Sequence, residues 1–364
     1  MRANGAAAVR DTTGGSDRHA GRVRMRAVAE HAVATSAAER HWPLGRWLSW
    51  ARTANGWTNA TYLVHAERGE FALRCSHPGK TEAALAYETA VLDHLAAAGF
   101  PSPRVVPTVD GEPFGRIDGA LYLVTERLPG VHYDPANPAH LPGAGRALGA
   151  LHRALEGFCR PAPPDDRPGL DDLAGAGPVL ERMGRMAEVL PDRDGQSRLR
   201  AACASLGPHF SRVAAGLGAA GLEGGVVHGS FGRSALLYEG DDYSGVLDFD
   251  RAGAGPPALD LAFAARIAKT DHHSLDLDGL AALFAAYRSE RALPVTGGAA
   301  MVLVLEAQRL VRVLAKARSL GAAGPDSVPP ARKVEKLRKV AELELGWVEW
   351  LEANAGAVAA TVGA

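Results

Sequence analysis

The sequence predicts an α+β fold of two lobes, a small antiparallel β lobe followed by a larger, mainly helical one. Three observations carry this expectation. Apolar and β-branched runs of strand length occupy residues 61–75 and 120–128, and beyond Pro129-Gly130 the apolar residues recur at helical spacing. The length, 364 residues, exceeds one ordinary domain of roughly 100–200 residues. The expected division is a mobile tail over 1–40, a β-rich lobe over 41–129 and a helical lobe over 130–364.

The composition narrows the function. Hydrophobic residues make up 47% and charged residues 22%, enough apolar material for a large core. The 40 basic and 41 acidic side chains nearly cancel, so neither nucleic acid nor an anionic membrane is the expected partner. No apolar stretch approaches the roughly 18–20 residues of a membrane span, and a cytoplasmic protein is expected. Cys75, Cys159 and Cys203 form no C-x-x-C pair and read as buried thiols of a reducing compartment. Lysine occurs only at Lys80, Lys269, Lys316, Lys333, Lys336 and Lys339, so most cationic roles fall to arginine.

Residues 1–40, rich in Ala, Gly, Ser and Arg, show no sustained period. Thr61–Val64 and Glu70–Cys75 flank the turn Glu67-Arg68-Gly69 and read as a β-hairpin. Thr81–Ala98 places Leu85, Leu92 and Leu95 on one helical face and is stopped by Gly99 before Pro101. Ala120–Leu128 reads as a further strand, ended by Pro129-Gly130. In the second lobe Gly145–Leu155, Val179–Val189 and Leu199–Leu217 read as helices. Gly225–His228 and Ser244–Phe249 then read as a strand pair, before helices at Leu259–Lys269 and Leu277–Tyr287. Met301–Leu320 is apolar at its start and gains Arg309, Arg312, Lys316 and Arg318, as in a central helix emerging toward solvent. Val334, Leu337, Ala341 and Val348 line a last amphipathic helix.

The chemistry gathers where a ligand between two lobes would lie. Asn55-Gly56-Trp57-Thr58-Asn59 is a small polar turn of the kind that approaches phosphate oxygens, although such turns more often only join strands. Arg74 ends the hairpin, and Glu88 in the following helix is spaced to pair with it, or to form an ion pair of no consequence. His228-Gly229-Ser230-Phe231-Gly232-Arg233-Ser234-Ala235 is a polar loop after a strand, followed by Leu247-Asp248-Phe249-Asp250 and by Asp260. A carboxylate closing an apolar strand is costly unless a cation meets it, and Mg²⁺ on a nucleotide phosphate is the natural candidate.

These motifs resemble the aminoglycoside phosphotransferase and choline kinase-like family, a branch of the protein-kinase-like fold. The resemblance runs from about Gly45 to Leu351 and is sharpest at Asn55–Asn59, Phe71–Arg74, Glu88, Glu126–Gly130, Leu148–His152 and His228–Asp260. It implies a bilobal fold binding ATP and Mg²⁺. Gly56, Thr58 and Asn59 would lie over the phosphates, and Arg74, steadied by Glu88, would take the place of the usual lysine. Glu126 to Leu128 would form the hinge beside the adenine, Asp248 would bind the metal, and Asp260 would brace the catalytic loop.

The loop departs from the family's His-Gly-Asp-x₄-Asn. Ser230 stands where the family has its catalytic aspartate and Ala235 where it has a metal-binding asparagine. A serine hydroxyl is no base at neutral pH and a methyl is no ligand. Ser234 can offer a neutral metal ligand, and Arg233 adds a cation beside the γ-phosphate unless it is an ordinary surface arginine. The missing carboxylate could come from Asp250, from the substrate or from a partner subunit. General-base catalysis is worth about 10²–10⁴-fold, whereas positioning and charge neutralisation dominate phosphoryl transfer, so the altered loop still permits a slow enzyme.

The resemblance therefore implies ATP- and Mg²⁺-dependent phosphorylation of a hydroxyl on a small metabolite or a peptide Ser/Thr, including the precursor peptides of natural-product pathways. The alternative is a pseudokinase that binds nucleotide or peptide and scaffolds a partner enzyme. Three other patterns carry less. His228-Gly-Ser230-Phe-Gly232 with Asp248, Asp260 and His272 imitates a hydrolase triad, but lacks the alternating strand–helix units that chemistry needs. Gly143-Ala-Gly145-Arg-Ala-Leu-Gly149 imitates a dinucleotide fingerprint but follows no strand. Asp271, His272, His273, Asp276 and Asp278, like Glu342, Glu344, Glu349 and Glu352, read as solvated polar surfaces.

Overall fold

A computed structural model describes residues 37–53, 59–165, 167–270, 273–321 and 329–363. Nearly all of the expected tail, the turn residues Asn55, Gly56, Trp57 and Thr58, and Asp271 and His272 lie outside the described residues. The chain divides into two units, one running to Glu82 and including Val105–Arg127, the other made of Ala83–Arg104 and Leu128–Ala364.

The first unit is a five-stranded antiparallel sheet built from β1 (Trp47–Arg52), β2 (Ala60–Ala66), β3 (Gly69–Cys75), β4 (Gly115–Ile117) and β5 (Ala120–Glu126), in the order β1-β2-β3-β5-β4. The expected hairpin is β2–β3, with Thr61 opposite Arg74 and Ala66 opposite Gly69. Alternation drives it: Tyr62, Val64, Phe71 and Leu73 are buried and pack with Tyr122, Val124 and Trp42. The Trp42 indole N–H donates to the Val106 carbonyl at 3.0 Å, which satisfies the polar atom of that buried ring. Strand β1 left no alternating signature in the sequence because almost all of its side chains are exposed, Leu48 at 51% and Trp50 at 41%.

In the second unit, α1 (Glu82–Ala97) buries Leu85, Val91, Leu92 and Leu95 and ends at Gly99, whose φ is +71°. The helix expected in the first lobe therefore packs with the second unit. After β6 (Val131–His132) come α2 (His140–Ala154), α3 (Gly177–Met186) and α4 (Arg193–Ala219). Short strands β7 (Gly225–Val227), β8 (Leu236–Glu239), β9 (Asp242–Val246) and β10 (Gly253–Gly255) follow, then α5 (Ala258–Ala265), α6 (Leu277–Arg288), α7 (Gly298–Gly321), α8 (Ala331–Ala353) and α9 (Ala355–Gly363). The main core joins α3, α4, α7 and α8 through Met183, Leu199, Leu206, Phe210, Leu310, Leu314, Leu337 and Val348.

Several expectations are corrected. The strands at 225–228 and 244–249 do not pair with each other: β7 pairs with β10, and β9 with β8, which also holds β6. The end of β9 continues its pairing with the β8 side instead, the Leu247 amide donating to the Ala235 carbonyl at 2.7 Å one step beyond the Leu236–Val246 pair. Arg309 does not emerge toward solvent but is 2% exposed, and Glu344 is wholly buried, because each finds an oppositely charged neighbour. Of the cysteines only Cys203 is buried, its thiol pushed up to about 11 by burial, whereas Cys159 is exposed.

The imitation fingerprint in α2 proves to be a helix-packing surface. A Cβ on Gly145 would stand 2.1 Å from the Leu283 carbonyl oxygen of α6, and one on Gly149 2.7 Å from that of Tyr287. Gly145→Ala is therefore expected to force the helices apart and cost about 1–3 kcal/mol, read as a lower urea midpoint at unchanged slope. Among the described residues, no helix is long and apolar enough to cross a membrane.

Candidate active site

The polar loop after β7 is organised around one carboxylate. Asp260, in the first turn of α5 and wholly buried, accepts from the His228 amide at 2.6 Å and from the Gly229 amide at 2.9 Å. Its Oδ2 also meets Nε2 of buried His152 at 3.2 Å, and Nδ1 of His152 lies 2.9 Å from the Tyr287 hydroxyl. A carboxylate at 0% exposure is tolerable because these partners replace its hydration. The Tyr287 hydroxyl is itself pushed up to about 12, chiefly by burial. Gly229 must be glycine, since its φ is +77° and a Cβ would stand 2.3 Å from the Arg251 carbonyl oxygen.

His228 ties this loop to the end of β9. Its Nε2 lies 2.8 Å from the Leu247 carbonyl, which can only accept, so the proton sits on Nε2 and Nδ1 carries the lone pair. Burial lowers the pKa of this imidazole, outweighing the opposite pull of Asp260. Nδ1 faces Ser230, 3.3 Å from its amide and 3.4 Å from its hydroxyl. The Ser230 hydroxyl also donates to the Asp248 carbonyl at 3.2 Å. Ser230 and Asp248, expected together from the sequence, are thus brought together.

Asp248 adopts φ 70° and ψ 54°, a left-handed conformation that non-glycine residues adopt rarely and aspartate better than most. Of the described non-glycine residues only Asp118 shares a positive φ. Such backbone concentrates at functional sites. The residue is exposed, and its neighbourhood is charged: Arg251 is pulled down by burial and by Arg167 but held up by Asp250, Asp165 and Asp248.

The turn Arg233–Ala235 lies beside residue 247 through the Leu247–Ala235 hydrogen bond. Ser234 is exposed there, whereas Ala235 is wholly buried. Arg233 is already engaged, its Nη2 donating to the Ile267 carbonyl at 2.7 Å and its guanidinium carbon 5.4 Å from the Tyr133 ring centroid. Leu128 packs on Gly245 of β9, and the passage between the two units falls between Arg127 and Leu128.

In the first unit Asn59 accepts from the His77 amide at 3.0 Å, Arg74 lies opposite Leu123, and Glu126 is exposed at the end of β5 opposite Phe71. Glu88 is 2% exposed within α1 of the second unit. Asp276 caps α6 by accepting from the Asp278 amide at 3.1 Å. No metal-binding group of three or more His, Cys, Asp or Glu occurs among the described residues. Sequence reasoning missed His152, whose only signal was its place in Leu148–His152 at the end of a helix.

Residues 49–293 match the phosphotransferase enzyme family, APH. The chain belongs to this family. Among the relatives of this APH chain, homoserine kinase of Pseudomonas aeruginosa is 32% identical over 252 residues, 68% of this chain and 74% of that protein. Homoserine kinase of Rhodopseudomonas palustris is 28% identical over 330 residues, covering 88% and 95%. A microcompartment-associated aminopropanol kinase superposes with a TM-score of 0.64 at 20% identity, covering 92% of this chain and 99% of that one. An aminoglycoside phosphotransferase from Alicyclobacillus acidocaldarius gives a TM-score of 0.59 at 21% identity, covering 88% and 95%. The structural likenesses establish the fold, α+β and protein-kinase-like.

Proposed function

We propose that this member of the APH family transfers the γ-phosphoryl group of ATP to a hydroxyl of a small metabolite or a peptide Ser/Thr, through the loop His228–Ala235. The observation that carries the proposal is the loop held by Asp260 beside a left-handed Asp248. Homoserine kinases among the relatives make a hydroxylated amino acid the first acceptor to try.

The residues present suit Mg²⁺, a hard cation commonly bound by one or two carboxylates plus phosphate and water oxygens. Asp248 and the Ser234 hydroxyl would hold it, with Asp250 close in the chain. When bound, it would neutralise charge on the transferring phosphoryl group. Gly56, Thr58, Asn59, Arg74 and Glu88 would serve the nucleotide phosphates, and Glu126 to Leu128 the adenine, as the family resemblance implies.

Ser230 acquires a function through His228. The acceptor hydroxyl gives its proton to Ser230 Oγ as the single Ser230 proton turns from the Asp248 carbonyl and passes to Nδ1 of neutral His228. The acceptor oxygen bonds to the γ-phosphorus while the bond to the ADP oxygen breaks. Buried Asp260 favours the imidazolium so formed.

Ser230→Ala is expected to lower kcat about 10²-fold with KM unchanged. The pH profile gives the sign of the effect: only neutral His228 accepts a proton, and burial lowers its pKa from 6.5. Activity should therefore hold through pH 7 and fall only below the ordinary histidine range, and that acid limb should vanish in Ser230→Ala. An acid limb at or above the ordinary value, or an unchanged kcat, would remove the relay.

The second reading is a pseudokinase scaffolding a partner enzyme, favoured by Ser230 and the wholly buried methyl of Ala235 at the family's base and metal positions. Labelled ATP with Mg²⁺, incubated with homoserine, amino alcohols and Ser/Thr peptides, separates them. Phosphate on any acceptor supports transfer; nucleotide binding with no labelled acceptor supports the scaffold.

A further inference from the structure

We infer that the second unit carries a binding site for a small organic anion, a carboxylate or a phosphate monoester, where Arg309 and Arg312 converge on Glu344. Arg309 of α7 is 2% exposed, and its guanidinium carbon lies 4.1 Å from the Trp347 ring centroid. Glu344 of α8 is 0% exposed and lies 2.9 Å from Arg312 Nη1 and 3.8 Å from Arg309 Nη1. Arg266 follows α5 and is close enough for its charge to act on both Glu344 and Arg309.

Two features distinguish this cluster from a structural ion pair. The first is alignment. Arg338 and Glu342, also on α8, hydrogen-bond at 2.7 Å, and Arg212 grips Glu306 with two bonds of 3.0 Å. In the cluster, by contrast, Arg309 Nε is buried and makes no hydrogen bond among the described residues, and Arg309 meets Glu344 only at 3.8 Å. The second is charge. Arg309 and Arg312 share one carboxylate, and the positive charge of Arg266 acts on the same group, so the buried Arg309 charge has less than a full partner among the described residues. Burial pulls Arg309 down to about 9 and pushes Glu344 up, as expected where solvation is lost without full compensation.

A carboxylate or phosphate supplies the missing charge and accepts in the paired geometry a guanidinium fork prefers. The stack on Trp347 holds one fork ready. Arg312, its side chain 33% exposed, opens the cluster to solvent. The site is also linked to the loop described above. Arg266 stands six residues beyond Asp260, roughly 9 Å along a helical rise, and Arg233 donates to the adjacent Ile267 carbonyl.

The test uses the full chain with inorganic phosphate, titrated against chloride at constant ionic strength and read by thermal midpoint and tryptophan fluorescence. A saturable response is expected that weakens at least tenfold in Arg309→Gln and in Arg312→Gln. Glu344→Gln, which removes the competing carboxylate, should bind phosphate at least tenfold more tightly. Should Arg309→Gln fail to fold, the partly exposed Arg312→Gln gives the same comparison. No saturable response, one indifferent to Arg312→Gln, or Glu344→Gln binding no tighter than wild type would overturn the site. These readouts need no turnover, so their failure is separable from failure of the phosphotransferase proposal. As an acceptor anchor the site rests on that proposal: phosphate competing with a phosphorylatable acceptor assigns the anion to the acceptor, and inhibition or activation without competition assigns it to a separate effector.

Discussion

Asp260→Ala is expected to cost about 3–5 kcal/mol of stability and to abolish phosphoryl transfer. The substitution leaves the His228 and Gly229 amides without their acceptor and deprives His152 of its carboxylate neighbour, the Gly229 bond part-buried and the others buried. Unsatisfied buried donors cost about 1–3 kcal/mol each, so the sum exceeds most single substitutions. Asp260→Asn refines the test. An amide retains one acceptor oxygen but turns an NH₂ toward groups that themselves donate, so it should recover only part of the loss. Urea unfolding with an unchanged slope measures both variants. A cost below about 1 kcal/mol for Asp260→Ala would mean that the loop is held by other contacts.

Why this carboxylate was legible in the sequence, and other features were not, follows from the reach of each signal. The β2–β3 hairpin and α1 announce themselves because alternation and helical spacing are local and one face of each is buried. Asp248 and Asp260 were visible through spacing, supported by a family pattern that covers this part of the chain. Strand β1 carried no signal because its side chains face outward, and β10 none because Gly253-Ala254-Gly255 has almost no side chains to alternate. Pairing partners are non-local, which is why β7 and β9 read as neighbours although each pairs elsewhere. Arg309 and Glu344 look like ordinary surface charges in sequence, since burial of a charge depends on a partner from another helix. Gly145 and Gly149 show the converse: a glycine spacing that imitates a nucleotide loop instead permits two helices to touch.

The second large effect concerns Asp248, where backbone and side chain can be separated. Its left-handed backbone disfavours alanine by roughly 1–2 kcal/mol relative to glycine, while asparagine tolerates that region as aspartate does. Stability without ligand should therefore run Asp248→Gly at or above wild type, Asp248→Asn close to it, and Asp248→Ala lowest. The proposed metal role predicts a different order, because none of the three side chains supplies a carboxylate. With Mg²⁺·ATP at a hundred times its dissociation constant, wild type should gain about 2.7 kcal/mol, and hence several degrees in thermal midpoint. Each variant should lose most of that gain whatever its own stability. If Asp248→Asn keeps the full Mg²⁺-dependent shift, the carboxylate holds no metal and the left-handed turn serves only to position the loop. If all three lose it while their unliganded midpoints follow the backbone order, strain and ligand binding reside in the same residue, and the strain is the cost of presenting that carboxylate.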